Sequence, residues 1–163
     1  MSTVRLSGVA NDSIVDGQGL RYTVFVQGCP HHCAGCHNPE THDFSAGYEE
    51  DTDKILNDIL ANPLLDGITL SGGEPMCQAA SLLPLAKACR AHGLSVWLYS
   101  GYTFEAIIEN PDMLALLKEV DVLIDGPFEL EKRSLELTFK GSSNQRGIDV
   151  PESLQAGKPI VIF

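Results

Sequence analysis

The sequence has few basic residues and no long apolar segment. Its 163 residues contain 11 Lys and Arg against 22 Asp and Glu, a formal net charge of −11 at pH 7. Nucleic-acid binding needs clustered Lys and Arg, so this composition argues against such a surface. No run reaches the roughly 18–20 apolar residues of a membrane helix, and residues 1–12 hold no secretory apolar run. We therefore expect a cytoplasmic protein that binds neither nucleic acid nor membrane.

Cysteine is also scarce, but its placement is uneven. Of the five cysteines, Cys29, Cys33 and Cys36 fall within eight residues. A reducing cytoplasm makes disulfides rare, and an odd number fits a fully paired framework poorly. Closely spaced cysteines in that setting point to metal or redox chemistry.

The remaining composition is that of an ordinary globular chain. Hydrophobic residues make up 44% and charged residues 20%, and neither repeats nor low-complexity tracts are present. We therefore interpret residues 1–163 as one domain. The acidic run at 49–53 is interpreted as the solvated start of a helix, where carboxylates favour the positive end of the dipole.

Apolar runs alternate with segments of helical periodicity along the chain. The pattern predicts strands at 22–27, 67–71, 94–99, 120–124 and 160–163, and helices at 52–61, 78–92, 104–109 and 113–119. Such alternation indicates parallel βαβ units, hence an α/β layer or an incomplete barrel. The cysteine cluster, a glycine pair and the Ser100–Gly101 turn each follow a strand, so they should meet at the carboxyl ends of the sheet.

Three thiolates in a Cys-x3-Cys-x2-Cys loop suit either zinc or an iron–sulfur cluster. A structural zinc site would need a fourth ligand, for which the neighbouring histidines are candidates: His31, His32, His37 and His42. A fully protein-ligated cubane would need a fourth cysteine. Cys77 begins a helix, and Cys89 lies on an apolar helix face. The third interpretation is a catalytic centre with one metal position left open for a substrate.

Motifs along nearly the whole chain resemble one known family. They are Ser13–Arg21 (SIVDGQGLR), Phe25–Cys29 (FVQGC), Cys33–Pro39 (CAGCHNP), Thr69–Pro75 (TLSGGEP), Leu98–Thr103 (LYSGYT), Asp125–Phe128 (DGPF) and Gly141–Arg146 (GSSNQR). Together they are similar to the anaerobic (class III) ribonucleotide reductase activating proteins, which are glycyl-radical activases of the radical S-adenosylmethionine superfamily. Gln18 departs from the family's proline, and His37 stands where an aromatic residue is usual.

The resemblance implies a fold, a reaction and a set of cofactors. The fold would be an α/β, parallel-sheet, incomplete TIM-like barrel. Cys29, Cys33 and Cys36 would ligate three irons of a 4Fe-4S cluster, and S-adenosyl-L-methionine would chelate the open iron. Its implied contacts are Gly35, Cys36, His37, Gly72, Gly73, Glu74 and Ser100.

Reductive cleavage of S-adenosylmethionine would then generate a glycyl radical on the partner, the large subunit of anaerobic ribonucleoside-triphosphate reductase. A low-potential electron donor of flavodoxin or ferredoxin type is implied as well. Two alternatives stay open at the level of the residues. One is a short radical enzyme acting on a small molecule, like a deazapurine synthase, and the other is a noncatalytic zinc or electron-transfer module. The sequence assigns no role to Asp125, Arg146, Cys77 or Cys89.

Overall fold

Four parallel strands form the centre of a seven-stranded sheet. The computed structural model describes residues 2–36 and 39–163. The strands are β1 (Thr3–Ser13), β2 (Arg21–Val26), β3 (Tyr48–Asp51), β4 (Gly67–Gly72), β5 (Ser95–Tyr99), β6 (Val122–Asp125) and β7 (Arg146–Asp149). Their order is β3-β1-β2-β4-β5-β6-β7, in which β2, β4, β5 and β6 are parallel, and the pairings β3–β1, β1–β2 and β6–β7 are antiparallel. The protein is therefore a mixed α/β fold, as its alternating pattern predicts.

The helices cover one face of this sheet. They are α1 (Thr52–Leu60), α2 (Ala79–Ala91), α3 (Phe104–Ile107), α4 (Pro111–Leu117) and α5 (Val150–Ala156). Asp51 caps α1 by accepting from the N–H of Asp53. Ile55 and Ile59 of α1 and Leu82 of α2 are buried, in one core cluster with the sheet. The core thus lies between the helices and the aliphatic face of the strands. Within the described residues, no helix is long and apolar enough to cross a membrane.

The opposite face of the sheet is polar and aromatic. Arg21, Thr69 and Trp97 alternate with the aliphatic residues of β2, β4 and β5. Arg21 is buried, and its guanidinium donates to Thr69 Oγ1 and to the carbonyl oxygens of Gln18, Ile68 and Ser95. These bonds satisfy a charged group that would otherwise be costly to bury. They also join the amino ends of three parallel strands.

Three strands and one helix lie outside the predicted pattern. The acidic residues Glu49, Glu50 and Asp51 belong to the edge strand β3, so only Asp51 and Asp53 contribute to the helix start. Strand β1 and helix α5 were not predicted, and Arg146 begins β7 although its segment has the composition of a surface loop. The strand predicted at 160–163 is reduced to a single bridge between Val161 and Ile148.

Candidate metal and cofactor site

The three clustered cysteines lie on the loop that follows β2, at the carboxyl end of the parallel strands. All three are reduced cysteines, and Cys29 is 8% exposed. They line one cavity of about 130 Å³. The opposite wall comes from the turns after β4, β5 and β6, through Gly72, Gly73, Ser100, Gly101 and Gly126. The predicted convergence at this edge of the sheet is present.

Burial controls the ionisation of the innermost cysteine. Burial, the largest cause, and the negative charge of Glu74 both act to raise the pKa of the Cys29 thiol, which reaches about 11. The backbone N–H of His31 acts in the opposite direction by hydrogen bonding to Cys29. In the metal-free chain Cys29 is therefore a neutral thiol at pH 7, and binding of a metal through its thiolate must release a proton.

The glycine pair at the end of β4 is required by close contacts within the protein's own backbone. Gly72 has φ 96°, and a Cβ on it would lie 2.5 Å from the backbone nitrogen of Val26. A Cβ on Gly73 would overlap the carbonyl oxygen of Gly28. The N–H of Gly73 donates to the carbonyl of Val26 at 2.8 Å. These glycines let the β4 turn pack directly against the start of the cysteine loop, which brings both segments to the same cavity.

Glu74 is the most highly hydrogen-bonded side chain of the site. It is fully buried, with 0% exposure. Its carboxylate accepts from Ser100 Oγ at 2.9 and 3.0 Å, from the N–H of Gly101 at 2.8 Å and from the N–H of Met76 at 3.0 Å. Glu74 thus caps the 3-10 turn that precedes α2 and also binds the turn after β5. Two predicted site residues, Glu74 and Ser100, are therefore in direct contact.

His31 completes the environment of Glu74. Its Nε2 lies 2.6 Å from Glu74 Oε1, and its side chain is 17% exposed. The sequence offers His31 only as a candidate zinc ligand beside the cysteines, whereas the structure bonds it to Glu74. The signal was missed because the partner lies 43 residues away along the chain. By contrast, the neighbouring His32 is exposed.

The remaining predicted site residues lie on the cysteine loop. Gly35 is exposed with φ 71°, and a Cβ there would lie 2.6 Å from the Leu130 side chain. The N–H of Cys36 donates to the carbonyl of Cys33 at 3.2 Å, which makes a tight turn between two of the thiols. The predicted contact His37 lies outside the described residues.

Asp125 and Arg146 form an ion pair beside the cavity. Asp125 is buried and accepts from Arg146 Nε at 3.0 Å and from the N–H of Phe104 at 2.7 Å. Arg146 also binds Glu105. The pair joins the ends of β6 and β7, between which residues 127–145 extend over the cavity. Gln145 anchors this segment, donating to the carbonyl of Gly126 at 3.1 Å and accepting from the N–H of Gly141 at 2.9 Å.

The donor set of the cavity fits an iron–sulfur cluster. Among the described residues, no three His, Cys, Asp or Glu side chains already surround one metal-ion position. The cavity instead places three thiols around a space, and neither Cys77 nor Cys89 lines it. His42 also lines it, and its Nε2 is buried with no hydrogen-bond partner in the described part of the chain. Three thiols around one space suit a thiolate-ligated iron–sulfur cluster, and the unpartnered nitrogen of His42 leaves a hydrogen bond that a bound group can supply.

Comparisons with known proteins identify the domain class and then the family. The family described as 4Fe-4S single cluster domain matches residues 15–148. The chain is therefore a domain of the class that holds one four-iron cluster. An anaerobic ribonucleoside-triphosphate reductase-activating protein from Pasteurella multocida is 37% identical over 140 residues, covering 81% of this chain and 89% of the relative. The Escherichia coli (strain K12) protein of the same name is 34% identical over 142 residues, with coverage of 81% and 90%.

The chain belongs to the family of anaerobic ribonucleoside-triphosphate reductase-activating proteins. This confirms the family that the motifs predict. Among solved structures, QueE from Escherichia coli aligns with a TM-score of 0.48 and 18% identity, covering 62% of this chain and 53% of that chain.

Proposed function

We propose that this chain is a radical S-adenosylmethionine activase that generates a glycyl radical on the large subunit of anaerobic ribonucleoside-triphosphate reductase. The observation that carries the proposal is the cavity shared by Cys29, Cys33 and Cys36, which no fourth cysteine lines. The name shared by the relatives supplies the target of activation. A cluster held by three thiolates keeps one iron free for a second ligand.

The three cysteines would hold the 4Fe-4S cluster, with S-adenosylmethionine against the wall formed by the β4 and β5 turns. When bound, the reduced cluster supplies the electron that cleaves S-adenosylmethionine, and the resulting radical removes a hydrogen from the target glycine. The chain's own task is to bind, orient and exclude water. Gly72, Gly73 and Ser100 support this placement because they line the cavity opposite the thiols. Gly35, Cys36 and His37 would contribute from the cysteine loop.

Glu74 takes part in cofactor binding indirectly. Both oxygens of its carboxylate already accept hydrogen bonds from the protein, so little capacity is left for a ligand ammonium. Its bonds hold the β4 and β5 turns at a fixed separation. We therefore assign Glu74 to shaping the methionine-binding wall, with backbone groups of that wall making the direct contacts.

The proposal also covers the type of fold, the extent of the domain and the source of the electron. The four central parallel strands follow one another in chain order, which supports an open section of a β/α barrel. Residues 1–163 act as one radical S-adenosylmethionine domain. The electron comes from a low-potential donor of flavodoxin or ferredoxin type, since cleavage of the cofactor requires a strongly reducing cluster.

The proposal is tested by anaerobic reconstitution followed by electron paramagnetic resonance. The chain should bind iron and acid-labile sulfide, and zinc should be substoichiometric. Mixing it with the reductase, S-adenosylmethionine and a reductant should produce a glycyl radical, recognised by a doublet from coupling to the remaining Cα hydrogen. Replacing the target glycine with alanine in the reductase should remove the doublet while the complex still forms.

Matched cysteine variants control this experiment. Cys33→Ala should lose cluster and activity, whereas Cys77→Ala, whose residue does not line the cavity, should keep both. An intact cluster with bound S-adenosylmethionine but no doublet would favour a small-molecule substrate. A stoichiometric zinc ion without iron would favour the noncatalytic alternative.

A further inference from the structure

The imidazole of His31 connects the cysteine loop to the buried carboxylate of Glu74. His31 lies between Cys29 and Cys33, yet its Nε2 is 2.6 Å from Glu74 Oε1. A carboxylate without a proton only accepts hydrogen bonds, so Nε2 carries the hydrogen. The two side chains are 17% and 0% exposed. A charge-assisted bond this short and this shielded from water is stronger than a surface contact.

The surroundings of the ring fix its position independently of that bond. A Cβ on Gly101 would lie 2.5 Å from His31 Cδ2, so the ring occupies the space that a side chain at 101 would fill. The ring of Tyr102 meets His31 edge to face, with centroids 4.6 Å apart and planes at 72°. The turn after β5 therefore leaves a space that the imidazole fills, and packing in this space holds the ring in place.

Few other interactions hold this part of the cysteine loop. Among the described residues, 30–35 form no backbone hydrogen bond to a strand. The loop is attached at its start, where the N–H of Cys29 donates to the carbonyl of His42 at 3.2 Å. The backbone N–H of His31 also bonds to Cys29. His31 thus joins the thiols to the turns after β4 and β5.

We propose that His31 is a positioning residue whose hydrogen bond to Glu74, here called the clip, holds the cysteine loop in place. The clip thereby sets the distance between the cluster thiols and the Gly72–Gly73 wall. The inference rests on the proposed function, because it assigns that distance to the binding of S-adenosylmethionine at the open iron. Without the clip, the three thiols still bind a cluster, but the cluster no longer faces the wall at one fixed separation. The affinity for S-adenosylmethionine then falls.

Three variants test the clip. His31→Ala removes the ring, and His31→Gln keeps an N–H that can reach Glu74. His32→Ala is the matched control, since His32 is the adjacent histidine but is exposed and packs on His42 instead of on the turns after β4 and β5. After anaerobic reconstitution, we expect His31→Ala to retain iron and sulfide near wild-type content. Its affinity for S-adenosylmethionine should fall about tenfold, the loss typical of a removed hydrogen bond to a charged group.

Electron paramagnetic resonance supplies a readout that the loss of a merely structural residue would not change. The change in the reduced-cluster spectrum on adding S-adenosylmethionine should be weakened or broadened in His31→Ala, largely restored in His31→Gln and unaltered in His32→Ala. Glu74→Gln should add a defect of its own, because Glu74 also holds the β4 and β5 turns, and the double variant should be less impaired than the sum of the two single variants, because the two side chains share one bond. An unchanged affinity and spectrum in His31→Ala would overturn the proposal, as would equal defects in His31→Ala and His31→Gln.

Hydrogen exchange on the metal-free chain separates this inference from the function on which it rests. His31→Ala should speed exchange at the hydrogen-bonded amides of Gly28, Cys29 and Cys36, and His32→Ala should not. If the wild-type chain binds no cluster or no S-adenosylmethionine, the proposed function fails, and this readout still decides whether the clip exists. Equal exchange in His31→Ala and wild type would show that the clip is absent.

Discussion

A methyl group on Gly73 would overlap the carbonyl oxygen of Gly28, an atom that cannot move without moving the adjacent Cys29. We therefore predict that Gly73→Ala destabilises the metal-free chain by about 2 kcal/mol, as for other overpacked sites, and lowers its iron content. Urea unfolding and iron analysis measure the two effects. The control is Gly8→Ala, where an added Cβ has nothing within 4 Å.

Wild-type iron loading together with wild-type unfolding in Gly73→Ala would contradict this account of the glycine pair. Sequence reasoning assigned Gly72 and Gly73 to a close approach of a ligand. The structure shows that the first close approach is made by the protein's own backbone at residues 26–28. Steric demand from the chain and from a ligand produce the same glycine requirement, so a sequence alone does not separate them.

The two cysteines outside the cluster loop should differ in reactivity. Cys89 is 0% exposed, and burial raises the pKa of its thiol to about 12. At pH 8 only about one Cys89 in ten thousand is a thiolate, the reactive form. Cys77 is exposed. Iodoacetamide should therefore modify Cys77 first in the cluster-loaded protein, with Cys89 modified only after denaturation, as mass spectrometry of peptides would report. Equal rates in the native protein would show that α2 is not packed as described.

At the scale of elements, the ends of β6 and β7 are joined by a charged network that depends on pH. The hydrogen bond from Arg146 lowers the pKa of Glu105 below its usual 4.5. A carboxyl group with a lowered folded-state pKa contributes stability above the unfolded value, and loses it as the pH falls through the folded value. Glu105→Gln should therefore lower the urea midpoint at pH 7, and the difference from wild type should shrink as the pH falls below the usual 4.5 towards the lowered folded pKa.

The control for this network is Glu131→Gln, which removes an equal charge at an exposed position outside it. Its effect on the urea midpoint should be small. Because Glu105 is 57% exposed, solvent screens its ion pair and the effect at pH 7 is modest. A difference between Glu105→Gln and wild type that persists unchanged at pH 3 would rule out the ion pair as its cause.

The same elements show which parts of the fold a sequence can specify. The central strands were predicted because they are runs rich in β-branched and aromatic residues, as in β2 and β5. Strand β1 carries the half-buried Gly8 and the exposed Asn11 and has no such run. It is a strand because β2 and β3 bond to it on either side. Strand β3 is acidic, which suits an edge that must not pair with another chain, but the same charges favour a helix start.

The sequence predicts where the candidate site lies but not the hydrogen-bond network within it. Glycines and cysteines after three successive strands sufficed to bring Cys29, Gly73 and Ser100 to one edge. The bond from His31 to Glu74 was not predictable, because residues 43 positions apart in sequence give no local pattern. Pairings of that kind depend on side-chain geometry at the packed interface between the cysteine loop and the turns.

At the scale of the whole molecule, the helices occupy one face of the sheet, and a cavity beside the cysteine site opens on the other. This cavity of about 360 Å³ is lined by Cys36, Ser71 and Val15, among others. Val15 lies there because the β1–β2 loop folds over this face, where the carbonyl of Asp16 accepts from Thr69 Oγ1 at 2.6 Å. A reductase segment that delivers a glycine must approach through this side, since the core closes the other.

This asymmetry gives a prediction about the reductase complex. Val15 is 73% exposed at the mouth of that cavity, and Leu64 is 75% exposed in the loop between α1 and β4. Val15→Asp and Leu64→Asp add the same charge at equally exposed positions, so neither should disturb folding. Val15→Asp should weaken binding of the reductase about tenfold, as expected for an interface residue near the centre, whereas Leu64→Asp should not. Titration of the anaerobic complex measures both affinities, and equal affinities for the two variants would place the reductase on another surface.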